Sequence, residues 1–285
     1  MSRSEGSHDR PSPVPGSEAA RTEAGRAASD GWARFGVDER AVSDTLGYAI
    51  TLGMILSMIT FLYVSGVGTF GDLKSDARAV NADRAFEILD DNVRDVYARG
   101  APSRAIELKL SDAQLSVVGN TEFEVTVTDP AGPTTNYPLS FVPIEYETGQ
   151  TTMSYENGAV FRRNDGGGAV MDSRPPFVFT DDRTVMTSVV TRGSASVGGD
   201  GAVLIVAERT ESQLLTDVDE AGGTPVTVQF DIESPNAPAW QRYLESSLPS
   251  GYTTIDGDPS DDTLAYSFET DRFVLRQTKL AVSLE

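Results

Sequence analysis

Cysteine is absent from all 285 residues, which excludes disulfide staples, thiol nucleophiles, zinc ribbons and iron–sulfur ligation together. Histidine occurs once, as His8 in a leader rich in Ser, Gly, Pro and Glu, so neither an imidazole base nor a multi-histidine metal set is on offer. Lysine is nearly missing: Lys74, Lys109 and Lys279 are the only ones among 23 basic residues, against 43 acidic ones, for a formal charge of −20. That balance repels a polyanion, and no basic stripe with interleaved aromatics occurs, so no nucleic-acid partner is expected. Acidic excess with so little lysine suits a chain bathed in high salt, which screens self-repulsion; it favours a halophilic source, with an acidic surface domain of an ordinary organism as the alternative. No Ser sits in a G-x-S-x-G context, and Gly166-Gly167-Gly168 follows an Asn-Asp turn and opens no helix. The expectation is therefore no enzyme, no catalytic residue and no cofactor. No N-x-S/T acceptor for glycosylation occurs either.

Charge is also missing from one long stretch, Thr45 to Gly71, TLGYAITLGMILSMITFLYVSGVGTFG. A bilayer core of roughly 30 Å needs about 20 helical residues, so Leu46 to Val67 is long enough to span it. The run begins too far into the chain, and is too long, for an ordinary secretory signal. Arg26, Arg34 and Arg40 before it balance Lys74, Arg78 and Arg84 after it, so basic residues leave the orientation open.

The rest divides around this segment. Residues 1–37 lack apolar periodicity and read as a disordered leader. Residues 38–100 read as a transmembrane helix prolonged into an amphipathic stalk. Leu73, Ala77, Val80, Phe86, Leu89, Val93 and Val96 form its apolar face, and Asp76, Arg78, Asp83, Arg84, Asp90 and Asp91 its polar one. Gly66, Gly68 and Gly71 are candidate hinge positions, and Gly100-Ala101-Pro102 ends the helix. Residues 101–285 alternate with period two in runs such as 105–110, 122–128 and 225–230, broken by turn residues at 129–133, 164–168, 198–201 and 221–223. About ten short strands predict a mainly β head, an antiparallel sandwich. One short helix is expected within it near Pro238 to Leu248, capped by Asn236, with Trp240, Tyr243 and Leu244 facing inward.

Three constellations stand out. Ala49, Gly53 and Ser57 recur at steps of four, a small-residue stripe of the kind that lets a second membrane helix approach. Asp44 either caps the membrane helix or pairs with a neighbouring subunit's amine during assembly. Asp256, Asp258, Asp261 and Asp262 offer four carboxylates in seven residues, a calcium-type donor set without EF-hand spacing; the alternative is a solvated turn.

The run Arg40-Ala41-Val42-Ser43-Asp44-Thr45-Leu46-Gly47 ahead of an uncharged helix resembles the class III signal and N-terminal helix of archaeal type IV pilin-like proteins. Residues 81–89 and 100–110 extend that resemblance to a haloarchaeal family of uncharacterised pilin-like membrane proteins. The sequence departs from the pilin pattern at Asp44, where Pro is common, and at Leu46, where many bacterial-type pilins have Glu. The resemblance implies a cytoplasmic leader, an exported head, and cleavage by a prepilin peptidase between Ala41 and Val42, with Arg40 as the preceding basic residue. The expected function is a pilin-like, single-pass cell-surface subunit whose partners are membrane lipid, like subunits and the peptidase. A membrane-tethered β module that binds an external protein or glycan without polymerising is the alternative.

Overall fold

The computed structural model describes residues 39–180 and 182–285, and the side chains at 39–43 and 66–79 lie outside the description; so does the leader expected over 1–37. By internal contacts the chain divides into two units at Phe61/Leu62. Helix α1 (Glu39–Tyr97) is continuous, and its backbone stays helical at Gly66, Gly68 and Gly71. A glycine inside a helix costs roughly 1 kcal/mol relative to alanine, which lowers stability without obliging a break.

The second unit, Leu62–Glu285, holds fourteen described strands. They are β1 (Ser103–Val117), β2 (Thr121–Thr128), β3 (Thr134–Phe141), β4 (Ile144–Thr148), β5 (Thr151–Glu156), β6 (Ala159–Asn164) and β7 (Ala169–Ser173). After them come β8 (Phe177–Phe179), β9 (Thr184–Arg192), β10 (Ala195–Asp219), β11 (Val226–Glu233), β12 (Thr253–Asp256), β13 (Thr263–Thr270) and β14 (Arg272–Leu284). Helix α2 (Ala237–Ser247) lies between β11 and β12. Nine strands form sheet A, in the order β7-β6-β5-β4-β1-β10-β14-β9-β8, and five form sheet B, in the order β12-β13-β11-β2-β3. Every pair is antiparallel except β9 with β14, so the mainly β sandwich expected from the alternation is present with one parallel pair inserted.

Sheet A separates two cores because neighbouring strand residues point to opposite faces. Val160 and Val189 pack with α1, whereas Phe161 and Val190 pack with sheet B and α2. The order of layers is α1, sheet A, sheet B. On the first face Ala82, Phe86, Leu89, Val93 and Val96 of α1 are almost wholly buried among β1, β4, β5 and β10. From Phe86 to Val96 the apolar stripe read from the sequence is the docking face, whereas Val80, assigned to the same stripe, is 51% exposed and Leu73 and Ala77 lie outside the described side chains; each large buried side chain on it contributes about 1.5–3 kcal/mol of burial. On the second face Trp240 of α2 meets Phe123, Phe161 and Phe177 with ring centroids 5.0, 5.3 and 6.2 Å apart.

Two readings of the sequence are overturned here. Gly198-Gly199-Asp200-Gly201 is no hairpin connection: it lies within β10, paired to Gln114, Ala113, Ser111 and Leu110 of β1. Strand β10 is 25 residues long because β1 holds its first half and β14 its second, so partners on both sides supply the order that its glycines and polar residues do not advertise. Asn236 is the N-cap residue of α2 but makes no side-chain cap bond; its amide is committed elsewhere, as described below.

Two glycines are set by geometry. Asn157 (φ 49°) and Gly158 (φ 80°) form the two-residue turn between β5 and β6, the left-handed pair that such hairpins need. A Cβ on Gly193 would meet Val282 O at 2.5 Å, so the β9–β10 turn passes too close to β14 for any side chain.

If the α1 stripe holds the first layer, Phe86→Ala costs about 3–5 kcal/mol of head stability, the usual range for emptying a buried aromatic site. Denaturant unfolding followed by far-UV circular dichroism measures it, and a loss under about 1 kcal/mol would contradict the packing described.

Candidate functional site

The first candidate lies on α1. Asp44–Ser65 is a 22-residue stretch of mean hydropathy 1.8 with none of its window buried. It is about 33 Å long at the helical rise, apolar and long enough to cross a membrane. Tyr48 and Tyr63, both 72% exposed, stand near its two ends, the position where amphipathic rings favour a bilayer interface. Thr51 and Thr60 satisfy their hydroxyls within the helix by donating to Gly47 O and Leu56 O, both at 2.8 Å. Ala49, Gly53 and Ser57 are all exposed, and nothing stands within 4 Å of a Cβ placed on Gly53. Asp44 is exposed too, but α1 begins at Glu39, so Asp44 lies inside the helix and does not cap it. Arg40, Ala41 and Val42 fall within the first turns of α1, their side chains outside the described part.

A second feature sits where α1 meets the β6–β7 edge of sheet A. Asp90, assigned by periodicity to the polar face, is 4% exposed. Its Oδ2 accepts from Arg94 Nη2 at 2.9 Å and from Ser173 Oγ at 2.6 Å, while Oδ1 has no partner. Burial pushes its carboxyl above the ordinary range, against the opposing pull of Ser173 and Arg94. At the end of α1, Asp95 pairs with Arg99 and, at 3.1 Å, with Arg104 of β1, and the Arg99 hydrogen bond holds its carboxyl below the ordinary range.

Deeper still, Glu156 at the end of β5 is 1% exposed. Its Oε1 accepts from Trp240 Nε1 at 2.7 Å, and its Oε2 accepts from Ser234 Oγ at 2.9 Å and Asn236 Nδ2 at 3.0 Å. Asn236 Nδ2 also donates to Ser154 Oγ at 3.1 Å, and its Oδ1, the atom a helix cap would use, accepts from Arg163 Nη1 at 3.4 Å. These bonds tie α2 and the β11–α2 link to sheet A; burial raises the carboxyl despite the three donors. Sequence alternation gave no sign of Glu156, since a carboxylate before an Asn-Gly turn reads as solvent-facing.

The third feature is a groove of about 700 Å³ on the outer face of sheet B. Glu122, Glu124, Asp231 and Glu233 line it, joined by Asp256, Asp258 and Asp261 from the β12–β13 connection. Glu124 stands opposite Asp231 and Glu122 opposite Glu233 across neighbouring strands, like charges in register that oppose pairing. Among the described residues none of these four has an ion-pair partner. The aspartate run is thus divided: Asp256, Asp258 and Asp261 reach the groove, whereas Asp262 takes a left-handed turn (φ 62°) beside it. Asp258 spends its Oδ1 on Ser260 N–H and Oγ–H, at 2.8 and 2.7 Å, and Asp256 accepts from Gly257 N–H at 2.8 Å. Among the described residues no group of three or more carboxylates is placed to hold a metal ion.

Residues 40–283 match the model of the Family of unknown function (DUF7289), and the chain belongs to that family. No curated protein and no solved structure matches it.

Two measurements follow from these charges. Raising NaCl from about 0.1 to 2 M increases the melting temperature, and Glu122→Gln/Glu233→Gln raises the low-salt value while shrinking that increase, each relieved pair being worth about 0.2–1 kcal/mol; an unchanged salt response would contradict the like-charge strain. For pH, Glu156 and Asp90 bind a proton more tightly folded than unfolded, so they add stability as pH falls through their raised folded values toward their ordinary 4.5 and 3.8. Asp95 works in the opposite sense and loses its contribution only below its ordinary value. Glu156→Gln should therefore flatten the stability profile on the acidic side of neutrality, and a profile parallel to the native one would refute that assignment.

Proposed function

We propose that this chain is a single-pass membrane protein of pilin-like design, anchored by α1, with its β head on the external side and α1 as the element through which copies or envelope partners assemble. The observation that carries this reading is the double character of α1. Its Asp44–Ser65 segment is wholly exposed and apolar, and its residues from Ala82 to Val96 are docked on a sheet. A helix with that exposed segment has no stable place in water, since transferring so many large apolar side chains out of it is strongly favourable. The stripe Ala49, Gly53 and Ser57 supports helix–helix packing as the mode of assembly. Arg40, Ala41 and Val42 are the processing residues in this reading, Asp44 is the one that meets a neighbouring subunit's amine, and the acidic surface suits a halophilic, archaeal setting.

One observation favours the second reading, a tethered module that binds a ligand and does not polymerise: the sheet B groove is roomy and carries one sign of charge. The two readings separate on processing and assembly. Mass spectrometry of the chain from native membranes is expected to give a mature N-terminus at Val42, with Ala41→Leu blocking the cut, and detergent extracts are expected to contain oligomers that Gly53→Leu weakens at least tenfold. An intact leader together with a monomeric chain would overturn the pilin-like reading and leave the tethered module.

A further inference from the structure

Strand β10 has neighbours on both sides over only part of its length. β1 runs beside it from Ala195 to Glu208, and Arg209 N–H ends that contact on Pro102 O at 2.9 Å. From Glu211 to Asp219 its one strand partner among the described residues is β14. On the side that β1 has left, the backbone of this stretch is an open edge, a template for a further strand. Such edges are commonly guarded by Lys or Pro, and β10 contains neither. Leu214 stands 55% exposed at its middle. The acids along the edge are matched within the sheet: Glu211 pairs with Lys279 at 2.6 Å, and Arg272 holds Asp217 at 2.7 Å and Asp219 at 3.4 Å. In a chain of charge −20, which repels its own copies, this stretch is one where copies meet with their carboxylates already compensated.

The edge is also complementary to itself, because of a bulge. Leu214 pairs with Arg276 and Thr216 with Leu275, so Leu215 is an extra residue that switches the faces of the strand. Gln213 and Thr216 stand opposite Gln277 and Leu275, two residues apart on β14, and therefore share a face. By the same rule Glu211 and Val218, opposite Lys279 and Phe273, lie on that face, and Ser212 and Asp217, opposite Thr278 and Val274, lie on the other. Two antiparallel copies related by a two-fold axis perpendicular to the sheet must set residues of one face opposite each other. With the axis at the bulge, Gln213 meets Thr216 of the second copy, Ser212 meets its Asp217 and Glu211 meets its Val218, and no carboxylate faces another. We infer that Glu211–Val218 of β10 is an interface between two copies of this chain, paired antiparallel so that their A sheets join. An edge that fits itself closes on a dimer. This contact is separate from helix packing through α1 and does not rest on the pilin-like reading.

The test uses full-length chains carrying Gly53→Leu, which weakens association through α1, in detergent at about 2 M NaCl, where repulsion between acidic copies is screened. The chain has no cysteine, so introduced thiols report the register. Two mixtures are oxidised mildly, Gln213→Cys with Thr216→Cys and Ser212→Cys with Asp217→Cys. Opposite Cβ atoms in such pairs are about 4.5–5.5 Å apart, closer in alternate pairs, which brings one of the two mixtures within disulfide reach. That mixture is expected to form linked heterodimers at least tenfold faster than Gln213→Cys with Asp217→Cys, whose thiols lie on opposite faces. Ser212→Asp sets a carboxylate against Asp217 at two places in the dimer and should raise the dissociation constant from sedimentation equilibrium at least threefold, whereas Ser212→Lys should not raise it. Equal crosslinking in all three mixtures, a monomer throughout, or the same effect from Ser212→Asp and Ser212→Lys would overturn the interface. Oligomers that Gly53→Leu abolishes, with no β10 crosslink, would overturn it and leave packing through α1 standing.

Discussion

The docking of α1 onto sheet A is the constraint on which the rest depends. Sheet A is apolar on both faces, and only one of them has sheet B to cover it; without Phe86, Leu89, Val93 and Val96, the residues Ile106, Leu115, Tyr146, Val203 and their neighbours would face water. A two-layer sandwich would need polar residues at those positions. The helix is therefore a structural layer of the head, and the same helix carries the apolar Asp44–Ser65 segment.

Polar contacts refine this architecture at a few buried points. Glu156 accepts three side-chain hydrogen bonds from the β11–α2 link and from α2, which fixes the helix that carries Trp240 into the aromatic core. Asp90 does similar work at the first interface, through Ser173 on the edge strand β7. Both are carboxylates taken out of water, and such groups are tolerated where hydrogen bonds replace hydration. The outer face of sheet B shows the opposite arrangement: Glu122, Glu124, Asp231 and Glu233 have no ion-pair partner among the described residues, although Asn120 donates to Glu122 at 2.7 Å and Gln229 to Asp231 at 2.9 Å, so the repulsion between β2 and β11 is left to the surrounding ions.

Much of this was legible in the sequence because it rests on periodicity. The uncharged run, the stripe from Phe86 to Val96, the alternation of β2 and β11 and the inward face of α2 are all patterns of one residue type at a fixed spacing. What escaped was determined by tertiary partners. The middle of β10 reads as a turn because Gly198, Gly199 and Gly201 carry no strand preference, yet β1 pairs with each of them. Asp90 reads as solvent-facing because a helical wheel does not know that Ser173, 83 residues further on, reaches the same side. Asp44 reads as a cap because the charge-free run begins behind it, although the helix begins five residues earlier, at Glu39. Of the candidate sites, the aspartate run and the small-residue stripe were visible, while the opposed carboxylates of sheet B became visible only with the strand register.

The central claim is that α1 crosses a bilayer and delivers the head to its far side. Lysine makes this directly measurable, because all three lysines follow the apolar segment, two of them, Lys109 and Lys279, in strands of the head. Intact cells treated with a membrane-impermeant amine reagent, followed by carbonate extraction and peptide mapping, read orientation and anchoring together. The account predicts modified Lys109 and Lys279 on a protein that stays in the membrane pellet. Labelling that appears only after lysis, or a chain released by carbonate, would contradict it.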